Sequence, residues 1–187
     1  MTDSQKNDSG KKCIILGITA GIAIYKAADL CSKLTQKGYE VLPVMTQNAC
    51  KLMSPRIFFT LSRNNVLTDL FSEQTWKPEH VALSERADLL LVAPCTANFM
   101  GKLAHGIADD ALTTTALAHC RKPVLLAPAM NHWMWNNPVV QNNYKLLKES
   151  GVHFVGPGKG YLACGTEGEG RMSDVPEILE AVGKILN

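Results

Sequence analysis

The sequence predicts an α/β domain with helices on both faces of a parallel sheet, and three observations support this prediction. From residue 12 onward, short apolar runs alternate with longer helical patterns, as in parallel strands joined by crossover helices. The run at residues 88–93 is apolar almost throughout, which is typical of a strand buried on both faces. The length of 187 residues allows one sizeable core but not two ordinary domains. We therefore expect a single domain over residues 12–187, preceded by a polar, disordered tail over residues 1–11.

Five segments have the length and apolar character of strands: residues 12–18, 40–45, 88–93, 123–127 and 152–155. Five parallel strands joined by helices correspond to a doubly wound sheet, either flavodoxin-like or Rossmann-like. In such sheets the ligand lies beyond the carboxyl ends of the strands. A functional site is therefore expected in the segments that directly follow the strands.

Six segments have the apolar spacing of helices: residues 21–37, 55–62, 80–87, 97–119, 139–149 and 175–186. The first of them ends at Gly38, the residue type that most often follows a helix. The fourth is long, and we expect an interruption near Gly106. Residues 64–78 are predicted to form a long surface connection.

Composition and charge exclude several classes of protein. The net charge is only +2 and the basic residues are scattered, so no nucleic-acid-binding surface is indicated. No apolar run approaches the roughly 20 residues of a membrane-spanning helix, and the N-terminus lacks the apolar segment of a signal peptide. The six cysteines form no C-x-x-C pair, so no metal site is expected. These features predict a cytoplasmic protein without a membrane or nucleic-acid partner.

The loop after the first predicted strand has the composition of a phosphate cradle. Gly17, Thr19, Ala20 and Gly21 open onto a helix, so that amide N–H groups and a hydroxyl can point at one spot. Thr46, after the second strand, would add a second hydroxyl to the same cleft. The alternatives are that the glycines serve tight packing and that Thr46 is a solvated loop residue.

The segment after the third predicted strand contains hydrogen-bonding groups around a small residue. Thr96 and Asn98 would lie above the sheet, and Ala97 leaves room for a flat ring such as the isoalloxazine of a flavin. The alternative is that Thr96 or Asn98 caps the following helix, and one residue can serve both purposes.

The segment PAMNHWMW, residues 128–135, presents an amide at the mouth of the fourth predicted strand. There the donors of Asn131 can hold a carboxylate, while Met130, Trp133, Met134 and Trp135 supply an apolar wall that excludes water. The alternative is a capping asparagine followed by core methionine and tryptophan residues.

Two further residues have the chemistry of a reaction site. His80 begins a predicted helix, whose positive end disfavours the imidazolium form and suits a proton-transferring group; the alternative is a lone surface histidine. Cys164 lies in the glycine-rich segment 156–172, which has the composition of a lid. A thiol on such a lid can donate a hydrogen equivalent to a bound intermediate, or it can be an exposed thiol without function.

Six motifs, in this order, resemble those of the flavin-dependent cysteine decarboxylases: TAG, HVALSERADLLLVAP, PCTAN, GKLAHGIADDAL, PAMNHWMW and LACGTEGEGRM. The resemblance covers residues 12–186. It implies FMN as cofactor, His80 as the active-site histidine, Asn131 as the ligand of the substrate carboxylate and Cys164 as the flap thiol. It also implies two sets of contact residues. Those of the flavin are Gly17, Thr19, Ala20, Thr46, Cys95, Thr96, Ala97, Asn98 and Ala129, and those of the substrate are Met130, Asn131 and Ala163.

The resemblance further implies FMN-dependent oxidative decarboxylation of 4'-phosphopantothenoylcysteine to 4'-phosphopantetheine in coenzyme A biosynthesis. An N-acylated cysteine has no electron sink, so oxidation of its carbon–sulfur unit to a thioaldehyde must come before loss of carbon dioxide. Alternatives of the same fold are a peptidyl-cysteine decarboxylase, which releases an enethiol, a flavin prenyltransferase and a non-catalytic regulatory flavoprotein. PAMN and His80 fit the prenyltransferase poorly.

The resemblance also implies homo-oligomers, either trimers or dodecamers, in which a neighbouring subunit completes each flavin site. The family's usual PASANT or PATANT reads PCTANF here, so that Cys95 and Phe99 replace smaller or more polar residues. No ligase domain follows residue 187, so a separate phosphopantothenate–cysteine ligase is an expected partner in the pathway.

Overall fold

The computed structural model describes residues 10–71, 78–119, 121–161, 163 and 165–187. Within these residues, five parallel strands form a sheet in the order β2-β1-β3-β4-β5. The strands are β1 (Cys13–Ile18), β2 (Glu40–Met45), β3 (Leu89–Cys95), β4 (Val124–Pro128) and β5 (His153–Phe154). This order is that of flavodoxin-like folds, and the predicted doubly wound sheet is confirmed. Residues 1–9 of the predicted tail lie outside the described residues.

The helices of the described residues follow the strands in alternation and cover both faces of the sheet. They are α1 (Ile24–Gln36), α2 (Gln47–Leu52), α3 (Pro55–Ser62), α4 (Glu79–Arg86), α5 (Ala97–Ala104), α6 (Ala111–Ala118), α7 (His132–Trp135), α8 (Pro138–Glu149) and α9 (Val175–Leu186). None of these helices combines the length and the apolar composition needed to cross a bilayer.

Two apolar cores lie on opposite faces of the sheet. On one face, Leu30 of α1 and Ile178 of α9 pack against alternate residues of β1 and β3. On the other face, Met100 of α5, Leu112 of α6 and Leu147 of α8 pack against the intervening residues. The central strands are buried on both faces, which explains why their sequences are apolar throughout rather than alternating.

The predicted helix over residues 97–119 is divided into α5 and α6. Gly106 has a φ of 67°, which glycine adopts without strain, and it lies just beyond the end of α5. Asp110 then starts α6 through a capping box with Thr113. Lys102 binds Asp109 at 2.7 Å and so ties the intervening loop to α5. The interruption expected near Gly106 is therefore confirmed.

The glycine-rich segment forms a two-stranded antiparallel hairpin, β6 (Gly158–Tyr161) and β7 (Glu167–Arg171), which the sequence did not predict. Strand β7 lies directly on the segment before α7, where the N–H of Met130 donates to the carbonyl of Gly170 at 2.9 Å. A Cβ on Gly168 would lie 2.8 Å from Cβ of His132, so the close approach needs a glycine there. Backbone contacts thus hold the hairpin against the segment that follows β4.

Candidate functional site

A cavity of about 480 Å³ lies at the carboxyl edge of the sheet, between the start of α1, the start of α5, the segment after β4 and the hairpin. Cys95 at the end of β3 pairs with Pro128 at the end of β4, so these two strands end side by side. The cavity lies just beyond them, where ligands bind in folds of this type. Seven residues predicted to contact cofactor or substrate line it: Ala20, Thr96, Ala97, Ala129, Met130, Asn131 and Ala163.

Thr96 is both a helix cap and part of the cavity wall. Its Oγ1 accepts a hydrogen bond from the N–H of Phe99 at 3.4 Å and so starts α5. The hydroxyl hydrogen is not used by this contact, so the group can also donate to a ligand. Ala97 lines the cavity beside it and brings only a methyl group. This part of the wall can therefore accept a flat ring with a polar edge.

Asn131 combines the two interpretations that the sequence left open. Its Oδ1 accepts from the N–H of Met134 at 2.8 Å, which caps α7 and leaves the amide NH₂ without a capping task. Because Asn131 lines the cavity, two neutral donors are available there. Such donors suit a ligand that only accepts hydrogen bonds, as a carboxylate does.

Only part of the predicted apolar wall faces this cavity. Met130 and Met134 line it. Trp135 is buried in the core instead and packs edge-on against Tyr144 at a ring distance of 5.3 Å. Trp133 is exposed and lies against the ring of His132. Since successive residues of a short helix point in different directions, one turn cannot aim all of these side chains at one ligand.

Thr19 makes hydrogen bonds inside the protein that the sequence did not predict. Its Oγ1 donates to the carbonyl of Pro94 at 2.8 Å and accepts from the N–H of Thr96 at 3.2 Å. The single hydroxyl hydrogen is therefore used inside the protein, and the side chain is buried. Thr19 fixes the end of β3 to the end of β1, and a cofactor contact by Thr19 stays a prediction.

Gly17 and Cys95 face the core rather than the cavity. A Cβ on Gly17 would lie 2.7 Å from Cδ1 of Leu112, so a larger residue here would force that core side chain to move. Cys95 is fully buried in the core on the α5 face, and burial raises the pKa of its thiol. Phe99, the other departure from the family pattern, is buried in the same core. A side-chain contact between Cys95 and a flavin is therefore not supported by its placement.

Thr46 and Asn98 lie at the same edge of the sheet but are not among the described residues that line the cavity. Oγ1 of Thr46 accepts from the N–H of Ala49 at 3.2 Å and caps α2, so the alternative of a solvated loop residue is wrong. Asn98 is exposed on the first turn of α5. A cofactor contact by either side chain stays a prediction.

His80 lies on α4, which packs against α6. Its carbonyl accepts from Oγ of Ser84 at 2.7 Å, an interaction internal to the helix. Among the described residues that line the cavity, none belongs to α4. Cys164 lies outside the described residues, although its neighbour Ala163 lines the cavity. Within the described residues, His80 is therefore not part of the cavity wall that contains Asn131.

Four residues that line the cavity were missed from the sequence: Tyr25, Lys26, Tyr161 and Arg171. Nζ of Lys26 donates to Oδ1 of Asp174 at 2.8 Å and to the carbonyl of Met172 at 3.1 Å. Nη2 of Arg171 donates to both carboxylate oxygens of Asp174, at 2.7 and 3.0 Å. These contacts, Lys26 first, lower the pKa of Asp174. The available signal was a lysine in the first turn of α1, where acidic residues are usual.

Among the described residues, no group of three or more His, Cys, Asp and Glu side chains is placed to hold a metal ion. The polar side-chain groups of the described residues that line the cavity are an amide, a threonine hydroxyl, two tyrosine hydroxyls, an ammonium and a guanidinium, all of which can donate hydrogen bonds. The cavity is therefore suited to an organic ligand that carries anionic or hydrogen-bond-accepting groups.

Curated relatives support an assignment by family. The chain is 47% identical over 172 residues to the coenzyme A biosynthesis bifunctional protein CoaBC of Bacillus subtilis (strain 168), covering 91% of this chain and 42% of that protein. It is 40% identical over 173 residues to the probable phosphopantothenoylcysteine decarboxylase of Streptococcus mutans serotype c, covering 91% of this chain and 97% of that protein. The chain thus spans less than half the length of the CoaBC relative.

Solved structures agree with these relatives. A mutant PPC decarboxylase in complex with pantothenoylaminoethenethiol superposes with a TM-score of 0.86 at 31% identity, covering 93% of this chain and 97% of that one. The FMN-dependent cysteine decarboxylase SpaF superposes with a TM-score of 0.81 at 32% identity, covering 94% and 95% of the two chains. The profile of the Flavoprotein family matches residues 2–187. The chain belongs to the Flavoprotein family.

Proposed function

We propose that this protein binds FMN in the cavity and decarboxylates 4'-phosphopantothenoylcysteine oxidatively, giving 4'-phosphopantetheine for coenzyme A biosynthesis. The observation that carries the proposal is the amide of Asn131, held by its capping bond in the wall of a cavity at the carboxyl edge of the sheet. The Streptococcus mutans relative, matched over nearly its whole length, carries the name of this decarboxylase. The bound compound in the mutant PPC decarboxylase structure is an enethiol, the type of product expected after carbon dioxide is lost.

The cavity residues fit a flavin. Ala97 and Ala129 have the smallest side chains that an L-residue can bring to a wall, which leaves room for a planar ring. Thr96 retains a hydroxyl hydrogen for a carbonyl or ring nitrogen at the edge of that ring. Ala20 and Gly21 line the cavity just before α1; the N–H of Gly21 donates to the carbonyl of Thr19 at 3.0 Å, so other N–H groups at the start of this helix would meet a phosphate. When bound, FMN supplies a two-electron acceptor for the carbon–sulfur unit of the substrate.

Asn131 is proposed to orient the carboxylate that leaves as carbon dioxide. Its two amide donors can hold both carboxylate oxygens without a formal charge. A cationic partner would stabilise the carboxylate more in the ground state than in the transition state, where that charge is dispersed, and so would slow the reaction. Met130 and Met134 flank the amide in the cavity wall and limit the access of water.

Cys164 is proposed to act at the last step. The enethiol left by decarboxylation must gain two electrons and two protons to become the saturated thiol 4'-phosphopantetheine. A thiol beside the substrate would supply one proton, while the two electrons and the other proton would come as a hydride equivalent from reduced FMN. Ala163 in the cavity wall supports this role, since it shows that the hairpin reaches the site. Ala163 and Met130 are proposed substrate contacts.

His80 is proposed to reach the site of a second copy of this chain. Its absence from the described cavity wall of one copy supports this arrangement. Exposed apolar side chains surround the cavity mouth, namely Ile22, Tyr25, Met134 and Tyr161. A group of exposed apolar side chains of this kind is typical of a protein surface that a partner covers. A homo-oligomer, trimer or dodecamer, is therefore part of the proposal, as is a phosphopantothenate–cysteine ligase that supplies the substrate.

The test uses purified, FMN-loaded protein and synthetic 4'-phosphopantothenoylcysteine. Release of carbon dioxide and a product with the mass of 4'-phosphopantetheine is the expected result. A second candidate, a peptidyl-cysteine decarboxylase, is favoured by the similarity to SpaF and would act on a peptide with a C-terminal cysteine. Turnover of the peptide alone would establish that candidate. Flavin-loaded protein that is inactive on both compounds would favour the regulatory subunit instead.

A further inference from the structure

Lys26 and Arg171 supply the positive charge of the cavity. Among the described residues that line it, these are the charged ones, and both contact the same carboxylate, that of Asp174. Lys26 comes from α1 and Arg171 from β7, so the contact joins the hairpin to the opposite wall. Arg171 follows Gly170, whose carbonyl accepts from the N–H of Met130, so the two cations extend from the segment after β4 to the start of α1.

The position of Lys26 is electrostatically unfavourable without a partner. It is the third residue of the 13-residue helix α1, whose first turn contains no acidic residue. A cation there meets the positive end of the helix dipole. Its side chain is also only 12% exposed, so water can solvate the ammonium only in part. An ammonium kept at such a place indicates a binding partner of negative charge.

Asp174 supplies only part of the negative charge that would balance Lys26 and Arg171. One carboxylate faces two cations, and it also precedes α9, whose N-terminus is positive. Of the three ammonium protons of Lys26, two are used by Asp174 and the carbonyl of Met172. Among the contacts of the described residues, Arg171 uses only Nη2, which leaves donors on Nε and Nη1. The pair therefore carries an excess of positive charge and several unused donors.

We propose that Lys26 and Arg171 form an anion subsite, separate from Asn131, that binds the phosphate of a 4'-phosphorylated substrate. This inference rests on the proposed function, whose substrate is anionic at both ends. Asn131 takes the carboxylate, and a guanidinium beside an ammonium suits the second, more highly charged group. The subsite makes the enzyme selective for the phosphorylated compound over its unphosphorylated form. The phosphate of FMN has the same chemistry, so the test must separate the two sources.

The decisive variant is Arg171→Gln, which removes the charge at a half-exposed position and should leave the fold intact. Binding of 4'-phosphopantetheine and of pantetheine to the FMN-loaded protein is measured by calorimetry, which needs no turnover. In the unchanged protein, the phosphorylated compound should bind at least about tenfold more tightly, the value of a charge-assisted hydrogen bond. Arg171→Gln should remove most of this preference by weakening only the phosphorylated compound. Arg171→Lys should keep an intermediate preference.

Lys159→Gln is the matched control, since Lys159 is an exposed cation on β6 of the same hairpin and does not line the cavity. It should keep the full preference. The ratio of flavin absorbance to protein measures whether FMN is retained. Release of FMN from Arg171→Gln would overturn the assignment to the substrate, because the subsite would then serve the flavin phosphate. Equal binding of both compounds by the unchanged protein, or an unaltered preference in Arg171→Gln, would also overturn it. If the protein prefers 4'-phosphopantetheine to pantetheine but releases no carbon dioxide, the proposed decarboxylase function is contradicted and the anion subsite is not.

Discussion

The side-chain oxygen of Asn131 accepts a hydrogen bond from the N–H of Met134 at 2.8 Å, and this one contact fixes which end of the amide faces the cavity. Since the oxygen is held by the first turn of α7, the NH₂ group is the end presented to a ligand. A residue that starts a helix thereby becomes a pre-oriented donor. The cap and the proposed carboxylate contact are therefore two uses of the same side chain.

Replacement of Asn131 by aspartate separates these two uses. A carboxylate caps a helix as well as an amide does, so Asn131→Asp should leave the melting temperature close to its original value. It lacks the NH₂ donors and would repel the carboxylate of the proposed substrate. We expect kcat/KM to fall at least roughly 10- to 150-fold, the equivalent of about 1.5–3 kcal/mol for a hydrogen bond to a charged group.

The matched control is Asn137→Asp. Asn137 caps α8 in the same way, with Oδ1 accepting from the N–H of Val139 at 2.9 Å, but it does not line the cavity. Both variants are compared by thermal unfolding and by the release of carbon dioxide. Equal activity of the two variants would contradict the role of Asn131 as a carboxylate ligand.

Thr19→Val tests the tie between β1 and β3. The valine keeps the shape of the side chain but leaves the buried carbonyl of Pro94 without its hydrogen bond. We expect the free energy of unfolding to fall by about 1–3 kcal/mol, measured by denaturant titration. Thr35→Val is the control, because the hydroxyl of Thr35 donates to Cys31 within α1 at 2.9 Å and is partly exposed. A loss in Thr19→Val no larger than that of the control would show that the tie is unimportant.

Gly170→Ala should disturb the seating of the hairpin. Its φ of 130° favours glycine, and an added Cβ would collide with the carbonyl of Met130. A residue forced into such a conformation costs about 1–3 kcal/mol, in addition to the collision. We expect faster proteolysis within residues 158–171 and reduced turnover.

Gly158→Ala is the control in the same hairpin. There an added Cβ would come no closer than 3.8 Å to the carbonyl of Arg171, which is ordinary contact. Its cleavage rate should match that of the unchanged protein. If both variants resist protease equally, the close approach of β7 to the segment before α7 does not hold the hairpin in place.

The buried His119 predicts how stability depends on pH. Burial, aided by the charge of Lys122, lowers the pKa of His119 below its ordinary value of 6.5. The unfolded chain therefore binds a proton at a higher pH than the folded one. Stability from this group is full above about pH 6.5 and declines as the pH falls toward the folded pKa.

His119→Gln should make the free energy of unfolding less dependent on pH between about 6.5 and 5, since the titrating group is removed. Denaturant titrations across this window provide the measurement. His153→Gln is the control, because His153 is exposed on β5. An unchanged pH dependence in His119→Gln would mean that the histidine titrates alike in the folded and unfolded chains.

The sequence predicted the sheet and most helices because their signals are local. Strand β2 and helices α3 and α9 have the predicted bounds, since apolar spacing and flanking capping residues specify them. Helix α7 was missed because its four residues are too few to show a period. The hairpin was missed because its glycines have low strand propensity, and its seat on the segment before α7 is a tertiary contact.

Cavity residues were predicted correctly where they directly follow a strand, as Asn131 and Thr96 do. The roles of residues whose hydrogen-bond partner lies far along the chain were not predicted. The hydroxyl of Thr19 meets Pro94 across 75 residues, and Lys26 meets Asp174 across 148. Such pairs leave no local pattern in the sequence. The hydrogen bonds by which Thr19 joins β1 to β3, and the positive charge of Lys26 in the cavity wall, are therefore visible only in the folded chain.

The capping bond of Asn131 also restricts how the cavity can be redesigned. Any replacement that offers a ligand different chemistry must still supply an oxygen for the backbone of Met134, or the single turn of α7 will fray. Serine, threonine and aspartate satisfy that demand, whereas lysine and arginine do not. A library built to retarget the pocket toward amide or ester substrates should therefore vary the neighbours of Asn131 and leave this position to oxygen-bearing side chains.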